Sequence, residues 1–304
     1  MSSAPPAPSA LPSDRVFRSI TIDGAFRVLA VRTTDLVRAA LARQSPRSAD
    51  KKALAELLTG AVLIRETMSP VHRVQVILSR EGAGAIVADS HPLGVDEAGT
   101  LIPAMTRGLI TRQDQGADRA LLTEGALLKV IRSLPRGRLH QSIVEAKPGG
   151  VSEALMSYLH ESEQVVATLA TTAVFDADGA LVAAGGFVVQ LLPECTEAPL
   201  AVMTERLAHD FASLDARLVA TNADARALSD ELLYGFPHEV LADSPLRFGC
   251  DCGEARVLAA ISTLGAEELT AIVHKGEVLA MTCEYCGHVY NLAPERLRSL
   301  LTRN

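Results

Sequence analysis

Four of the chain's five cysteines fall in its last 55 residues, as the close pairs Cys250-Asp251-Cys252 and Cys283-Glu284-Tyr285-Cys286, with thirty residues between them. A segment that short is poorly held by an apolar core alone, since below about 60–70 residues a staple is generally needed. Five cysteines in 304 residues are too sparse for a disulfide framework. Two local pairs are instead the pattern that gathers four thiolates around one ion, and a shell of four cysteine sulfurs is a tetrahedral arrangement that Zn2+ favours. The expected ligands are Cys250, Cys252, Cys283 and Cys286, holding one zinc per chain with all four sulfurs deprotonated. Gly287, directly after the second pair, lets backbone amides turn toward the sulfurs. His274 and His288 are expected outside the shell, because four sulfurs already fill it.

Spacing alone leaves several chemistries open. The site is a fixed structural zinc, a zinc centre that responds to oxidants, or a catalytic dithiol at the CxxC; the last lacks the βαβ context of a thioredoxin-like motif. The CxC is the more informative half. Its one-residue spacer keeps two sulfurs adjacent, so an oxidised thiolate has a resolving neighbour and the product is a disulfide. Oxidation of both pairs would eject the ion, and structural zinc contributes on the order of 10 kcal/mol to folding such a domain. Cys195 stands apart from both pairs and is expected to be a bystander thiol.

The rest of the chain indicates an α+β protein. Hydrophobic residues make up 48% and charged residues 21%, which excludes a disordered or collagen-like chain, and with no Trp the core must rest on Ala, Val, Leu and Ile. After a Pro/Ala/Ser-rich tail over residues 1–13, with neither the basic nor the apolar region of a signal peptide, a core domain is expected over 14–193. Asp23-Gly24 predicts a hairpin between Val16–Ile22 and Ala25–Val31, and Thr33 or Thr34 offers the N-cap of a helix carrying Leu36, Val37, Ala40 and Leu41. A second helix is expected over Ser48–Glu66. Strands are expected at Val71–Leu78, Ala85–Asp89, Leu127–Ile131 and Leu139–Val144, then a helix over Val151–His160 and a hairpin from Gln164–Phe175 to Ala180–Leu192. Runs of strands with few alternating helices favour α+β over a doubly wound fold.

Residues 194–249 read as a helical linker. Val202/Met203, Leu207, Phe211, Leu214 and Leu218 recur at helical spacing as one long face, and Asn222 or Asp224 can cap a shorter helix bearing Leu228, Leu232 and Leu233. Helices of this kind draw their stability from docking, so the segment is expected to be metastable. Residues 250–304 form the zinc-binding domain.

Other signals carry less. Gly82-Ala83-Gly84 reads as a turn, Gly185-Gly186 as a bulge or tight strand packing, and no phosphate-binding GxxxxGK[ST] occurs. His160, Glu161 and Ser162 are sequence neighbours and do not form a triad. Arg107, Arg112 and Arg119, interspersed with Asp114 and Asp118, read as a solvated loop. No motif points to an enzyme. The longest uncharged stretch, Gly179–Pro193, falls short of the roughly 18 apolar residues of a membrane span.

With these residues in view, the chain resembles the redox-regulated heat-shock chaperones called 33 kDa chaperonin, bacterial cytoplasmic holdases. The CxC, the spacer and the CxxC match that family's zinc motif. Ala184-Gly185-Gly186-Phe187-Val188-Val189-Gln190-Leu191-Leu192-Pro193 looks like its glycine-pair strand, Tyr158–Gln164 like the helix end before it, and Leu232-Leu233-Tyr234-Gly235 like its linker exit. Gly253-Glu254-Ala255-Arg256 departs from the family's Ser-and-Arg-rich step after the CxC, and residues 134–150 match poorly. The resemblance implies a reduced form that holds zinc through Cys250, Cys252, Cys283 and Cys286. It implies Cys250–Cys252 and Cys283–Cys286 disulfides on oxidation, with zinc release and unfolding of the domain and linker. Unfolding or oxidatively damaged client proteins would then bind without ATP, often to a homodimer, for later transfer to ATP-dependent foldases. No nucleic acid or membrane partner is implied. The alternative is a zinc-ribbon nucleic-acid binder or transcription accessory protein. Against it stand the net charge of −7 and, over 250–304, seven acidic against five basic side chains.

Overall fold

The computed structural model describes residues 13–68, 71–92, 94–95, 101–113, 120–146 and 149–301. The expected tail, apart from Ser13, and the loop residues Asp114, Asp118 and Arg119 lie outside them. The fold is α+β, and the chain divides after Phe248 into two units.

The first unit opens with the hairpin that Asp23-Gly24 calls for. Strands β1 (Arg15–Thr21) and β2 (Phe26–Arg32) pair antiparallel, Gly24 takes φ +70°, and the Asp23 carboxylate accepts the Ala25 amide at 3.0 Å. Helix α1 (Thr34–Gln44) is capped differently from the sequence expectation. Thr33 bonds Thr59 and Thr34 bonds the backbone of Ala184, while the Asp14 carboxylate accepts the amides of Asp35 and Leu36 at 3.1 and 2.5 Å. Helix α2 (Ser48–Thr67) is buried along most of its length, through Leu54, Leu57, Leu58, Ala61 and Leu63 among others.

Strands β3 (Val74–Arg80) and β4 (Gly84–His91) turn at Gly82, followed by the two-residue strands β5 (Gly94–Val95) and β6 (Leu101–Ile102) and by β7 (Ala104–Arg112). Next come β8 (Leu127–Ser133), β9 (Leu139–Glu145), helix α3 (Val151–Glu161), and the hairpin of β10 (Ala167–Phe175) with β11 (Leu181–Leu191). Helices α4 (Glu197–His209), α5 (Leu214–Ala220) and α6 (Ala225–Leu232) lead into β12 (His238–Phe248).

Among the described residues, ten strands form one sheet in the order β10-β11-β2-β1-β12-β7-β4-β3-β8-β9. Alternate side chains sort to its two faces. Leu29, Val31, Ala184 and Val188 pack with α1, α2 and α3, whereas Phe26, Val28, Ala30, Phe187 and Val189 pack under α4, α5 and α6. Gly185-Gly186 is tight strand packing: a Cβ at Gly185 would meet the Val31 carbonyl oxygen at 2.6 Å, and one at Gly186 the Ala170 oxygen at 2.4 Å.

Three features differ from the sequence expectation. Arg107 and Arg112 are not in a solvated loop; they lie on β7 and pair with Asp89 and Asp50, two fully buried carboxylates. The apolar face from Met203 to Leu218 is not one helix. The chain breaks at Asp210–Ser213, where the amides of Asp210 and Phe211 both bond the Arg206 carbonyl, although Met203, Phe211, Leu214 and Leu218 still line one buried surface. Residues 238–248, expected within a helical linker, are the strand at the middle of the sheet. Pro245 is tolerated there because β12 changes partner at that point, from antiparallel β1 to a three-residue parallel junction with β7 over Leu246–Phe248. Asp224 does cap α6, accepting the Ala227 amide at 2.8 Å.

Where α5 meets α2, Lys52 Nζ lies 3.7 Å from Glu56 and 4.0 Å from Asp215, and Thr172 donates to Asp215 at 2.5 Å. Burial pushes the Glu56 carboxyl up to about 7; Lys52 opposes this and Asp215 adds to it. Because the folded state holds this proton more tightly than the unfolded chain, its contribution is complete below the ordinary value of 4.5 and is lost as pH rises toward about 7. Glu56→Gln is therefore expected to stabilise the protein by roughly 2 kcal/mol at pH 8 and by almost nothing at pH 4. Paired thermal melts at the two pH values test this, and equal shifts at both would show that folding leaves the affinity of Glu56 for its proton unchanged.

Candidate metal centre

The second unit has a small apolar core of Ile261, Leu269, Val273, Leu292 and Leu297. It is built from α7 (Glu254–Ile261), α8 (Ala266–Lys275), the hairpin of β13 (Leu279–Thr282) and β14 (Val289–Leu292), and α9 (Pro294–Leu301). The hairpin register closes at Thr282 opposite Val289, which puts Cys283–His288 at its tip. There the Cys283 amide bonds the His288 carbonyl at 2.9 Å and the Gly287 amide bonds the Cys283 carbonyl at 2.8 Å. Gly287 takes φ +74°, a region open to glycine and costly for other residues. The turn aims the His288 amide at the Cys286 sulfur, as the sequence suggested. Cys250 and Cys252 enter from the other side, just before α7, where Asp251 pairs with Arg256 at 2.5 Å and Glu254 with Arg296 at 2.8 Å.

The four cysteines expected as ligands come together. Their sulfurs all lie within 4.8 Å of one another, with Cys250–Cys283 at 3.7 Å and Cys252–Cys286 at 3.5 Å. A tetrahedral ion with Zn–S bonds of about 2.3 Å would set its sulfurs about 3.8 Å apart, so the cluster has the right dimensions for one metal ion. All four are free thiols. Left to itself, such a cluster divides its charge unequally. Burial pushes Cys252 up, but hydrogen bonds from Tyr290 and the other sulfurs outweigh this and hold it at about 7; burial and the neighbouring sulfurs push Cys286 up to about 12.

The remaining sequence candidates fall outside the cluster. His274 is exposed on α8, and His288 packs edge-to-face on Tyr290 with ring centroids 4.5 Å apart. Cys195 belongs to the first unit, half-buried beside the core under α4–α6, where burial and Asp23 push its thiol up. One residue escaped the sequence reading: the Tyr290 hydroxyl lies 3.1 Å from the Cys252 sulfur. The available signal was a tyrosine on a strand immediately after a metal-type turn, on the same face as His288.

A family model described as Hsp33 protein matches residues 14–293. The chain belongs to the Hsp33 family. Among its Hsp33 relatives, a 33 kDa chaperonin of Syntrophotalea carbinolica is 31% identical, over 95% of this chain and 99% of the relative. One of Geobacter sulfurreducens is 29% identical over 95% of each. The fold of the Hsp33 homologue crystallised from Thermotoga maritima superposes with a TM-score of 0.75, at 21% identity, covering 96% of this chain and 99% of that one. The resemblance drawn from the cysteine motif and the glycine-pair strand is thus borne out over nearly the whole chain.

Gly287→Ala forces a side chain into the left-handed region and is expected to cost about 1 kcal/mol. Hydrogen exchange should quicken across residues 279–292 in the variant and stay unchanged in the first unit. Unaltered protection over 279–292 would mean the tip adapts without strain.

Proposed function

We propose that the protein is an ATP-independent holdase whose client-binding surface is released when oxidant dismantles a zinc centre held by four cysteine thiolates. The observation that carries the reading is the convergence of Cys250, Cys252, Cys283 and Cys286 in a unit with so small an apolar core. Family membership supports the chaperone role, and an all-sulfur donor set suits zinc. Bound zinc would keep the four thiols ionised and supply the folding energy the core lacks.

The redox step needs a hydroperoxide. One thiolate attacks the peroxide oxygen, hydroxide leaves and a sulfenic acid forms; the partner thiolate then attacks that sulfur and expels a second hydroxide. Two electrons pass from the sulfur pair to the peroxide, and the hydroxides take up protons as water. Repeated at Cys250–Cys252 and at Cys283–Cys286, this leaves two disulfides and no charged ligand for the ion.

The first unit offers a surface to release. Helices α4, α5 and α6, of 13, 7 and 8 residues, cover Phe17, Phe26, Val28, Phe187 and Val189 with Met203, Phe211, Leu214, Leu218, Leu228 and Leu232. Isolated helices shorter than about 12–15 residues are marginal in water, so these depend on docking. Strand β12 is bonded along its length, first to β1 and over Leu246–Phe248 to β7, so we place the releasable segment before it, over residues 194–237. The exposed apolar faces would bind unfolding or oxidatively damaged proteins, with a homodimer as the oxidised form and ATP-dependent foldases as recipients of the clients. No described helix is long and apolar enough to cross a membrane; the cytoplasm is the proposed place of work.

Reduced, zinc-loaded protein treated with hydrogen peroxide at heat-shock temperature should release zinc and gain the power to suppress client aggregation together. Zinc loss without that gain overturns the reading. Cys283→Ser should weaken zinc binding by more than about a hundredfold, the most that loss of an outer partner costs, and open residues 249–304 to protease. Full occupancy in that variant would remove Cys283 from the ligand set. Cys195→Ser should behave as the parent does.

A further inference from the structure

We infer that Tyr290 is a positioning residue of the sulfur centre: its hydroxyl hydrogen-bonds the Cys252 sulfur, fixes the CxC loop to β14 and lowers the reactivity of that sulfur toward electrophilic oxidants. The inference deepens the redox reading above and rests on it. The geometry is specific. Tyr290 Oη lies 3.1 Å from Cys252 Sγ across 38 residues of sequence, and the His288 ring, edge-to-face at 4.5 Å with an interplanar angle of 67°, fixes the direction of the phenol. Tyr290 is anchored from below by the hairpin register, opposite Met281. Its neighbour Leu292 belongs to the small core, so the strand carrying the hydroxyl is one the unit cannot shift cheaply.

A metal-bound thiolate has no proton to give, so in this pair the phenol donates and the sulfur accepts. Donation draws electron density from the sulfur lone pairs, the same electrons that attack a peroxide oxygen or an alkylating carbon. Outer-shell hydrogen bonds of this kind commonly tune metal ligands. The hydroxyl also ties the CxC to the hairpin that bears the CxxC, so it acts on the approach of the two halves as well as on the charge of one sulfur. Removing it should lower the peroxide concentration at which the ion is lost.

The test compares reduced, zinc-loaded parent and Tyr290→Phe, which keeps the ring and its packing on His288. Iodoacetamide is the probe: the sulfur displaces iodide and gains a carboxamidomethyl group, read at each cysteine by peptide mass. Loss of one hydrogen bond to the sulfur should quicken alkylation of Cys252 by about threefold or more. Cys283 and Cys286, in the same molecule, should stay at the parental rate. Zinc stoichiometry and protease resistance of residues 249–304, measured before alkylation, should match the parent. In a parallel titration with hydrogen peroxide, followed with a metallochromic dye, Tyr290→Phe should release zinc at lower oxidant. An unchanged Cys252 rate overturns the inference, and so does an equal rise at Cys252, Cys283 and Cys286, which would mark general loosening. The alkylation readout requires no client, so it stands or falls apart from the holdase reading. A protein that gains no anti-aggregation activity can still show the Cys252 effect, and one that gains it can still lack the effect.

Discussion

Four sulfurs within 4.8 Å of one another cannot all carry charge unless a cation stands among them. The uneven sharing between Cys252, held at about 7, and Cys286, pushed up to about 12, measures that conflict. A dication resolves it by compensating the charge, and the resolution matters structurally because the unit around it has little else. Among the described residues, five buried apolar side chains drawn from three helices and one strand leave the CxC loop and the hairpin tip to be joined through the sulfurs. In a unit held by metal-bound thiolates the charge state of the sulfurs and the fold would be one equilibrium, which is the physical basis of the proposed redox response.

The first unit distributes its stability differently. Its sheet is bonded along nearly every strand, and its buried charges are paired. Asp89 receives Arg73 at 2.7 Å and Arg107 at 3.0 Å, and although burial raises it, hydrogen bonds from His91 and Arg73 hold its carboxyl well below the usual range. Removing one member of such a set strands the others without solvent, so the set acts as a unit. Among the described residues, the cover formed by α4, α5 and α6 carries more exposed ion pairs, such as Arg217–Glu231 at 3.0 Å and Lys52–Asp215 at 4.0 Å. It is held by apolar contact and by arginine clamps such as Arg206, which donates to the carbonyls of Leu232 and Tyr234 at 2.6 Å. Local unfolding draws on the parts with the least cooperative bonding, and the cover overlies an apolar face of the sheet.

How far the sequence discloses this depends on the distance over which each signal acts. The CxC and CxxC are local, and so is the Asp23-Gly24 turn; both were legible. Strand β7 was not, because Thr106 and Arg107 interrupt its apolar alternation, and only the fold supplies Ser90 and Asp89 to satisfy them. Strand β12 was hidden by Pro245 and by polar residues at Glu239, Asp243 and Ser244, whose acceptability depends on where β1 ends and β7 begins. The cap of α1 comes from Asp14, twenty-one residues before Asp35, and the hydroxyl at Cys252 comes from thirty-eight residues away. Each is invisible to a window the length of one helix.

These long-range contacts also bear on how the ends of the first unit communicate. The chain reaches Gly249 and Cys250 through Leu246–Phe248, the three residues of β12 paired in parallel with β7. Leu246 donates its amide to the Asp14 carbonyl at 3.0 Å, and the Asp14 carboxylate pairs with Arg32, which is buried. Arg32 Nε in turn donates to the carbonyl of Asn222 at 3.4 Å, in the left-handed turn between α5 and α6. Hydrogen bonds therefore run unbroken from the last residues of β12 to the turn that sets the helical cover. A strand end that frays at Leu246 disturbs the same Asp14 that caps α1 and orients Arg32. Asp14 meets β12 through its main-chain carbonyl and Arg32 through its carboxylate, so one buried residue joins the strand end to the arginine that supports the cover.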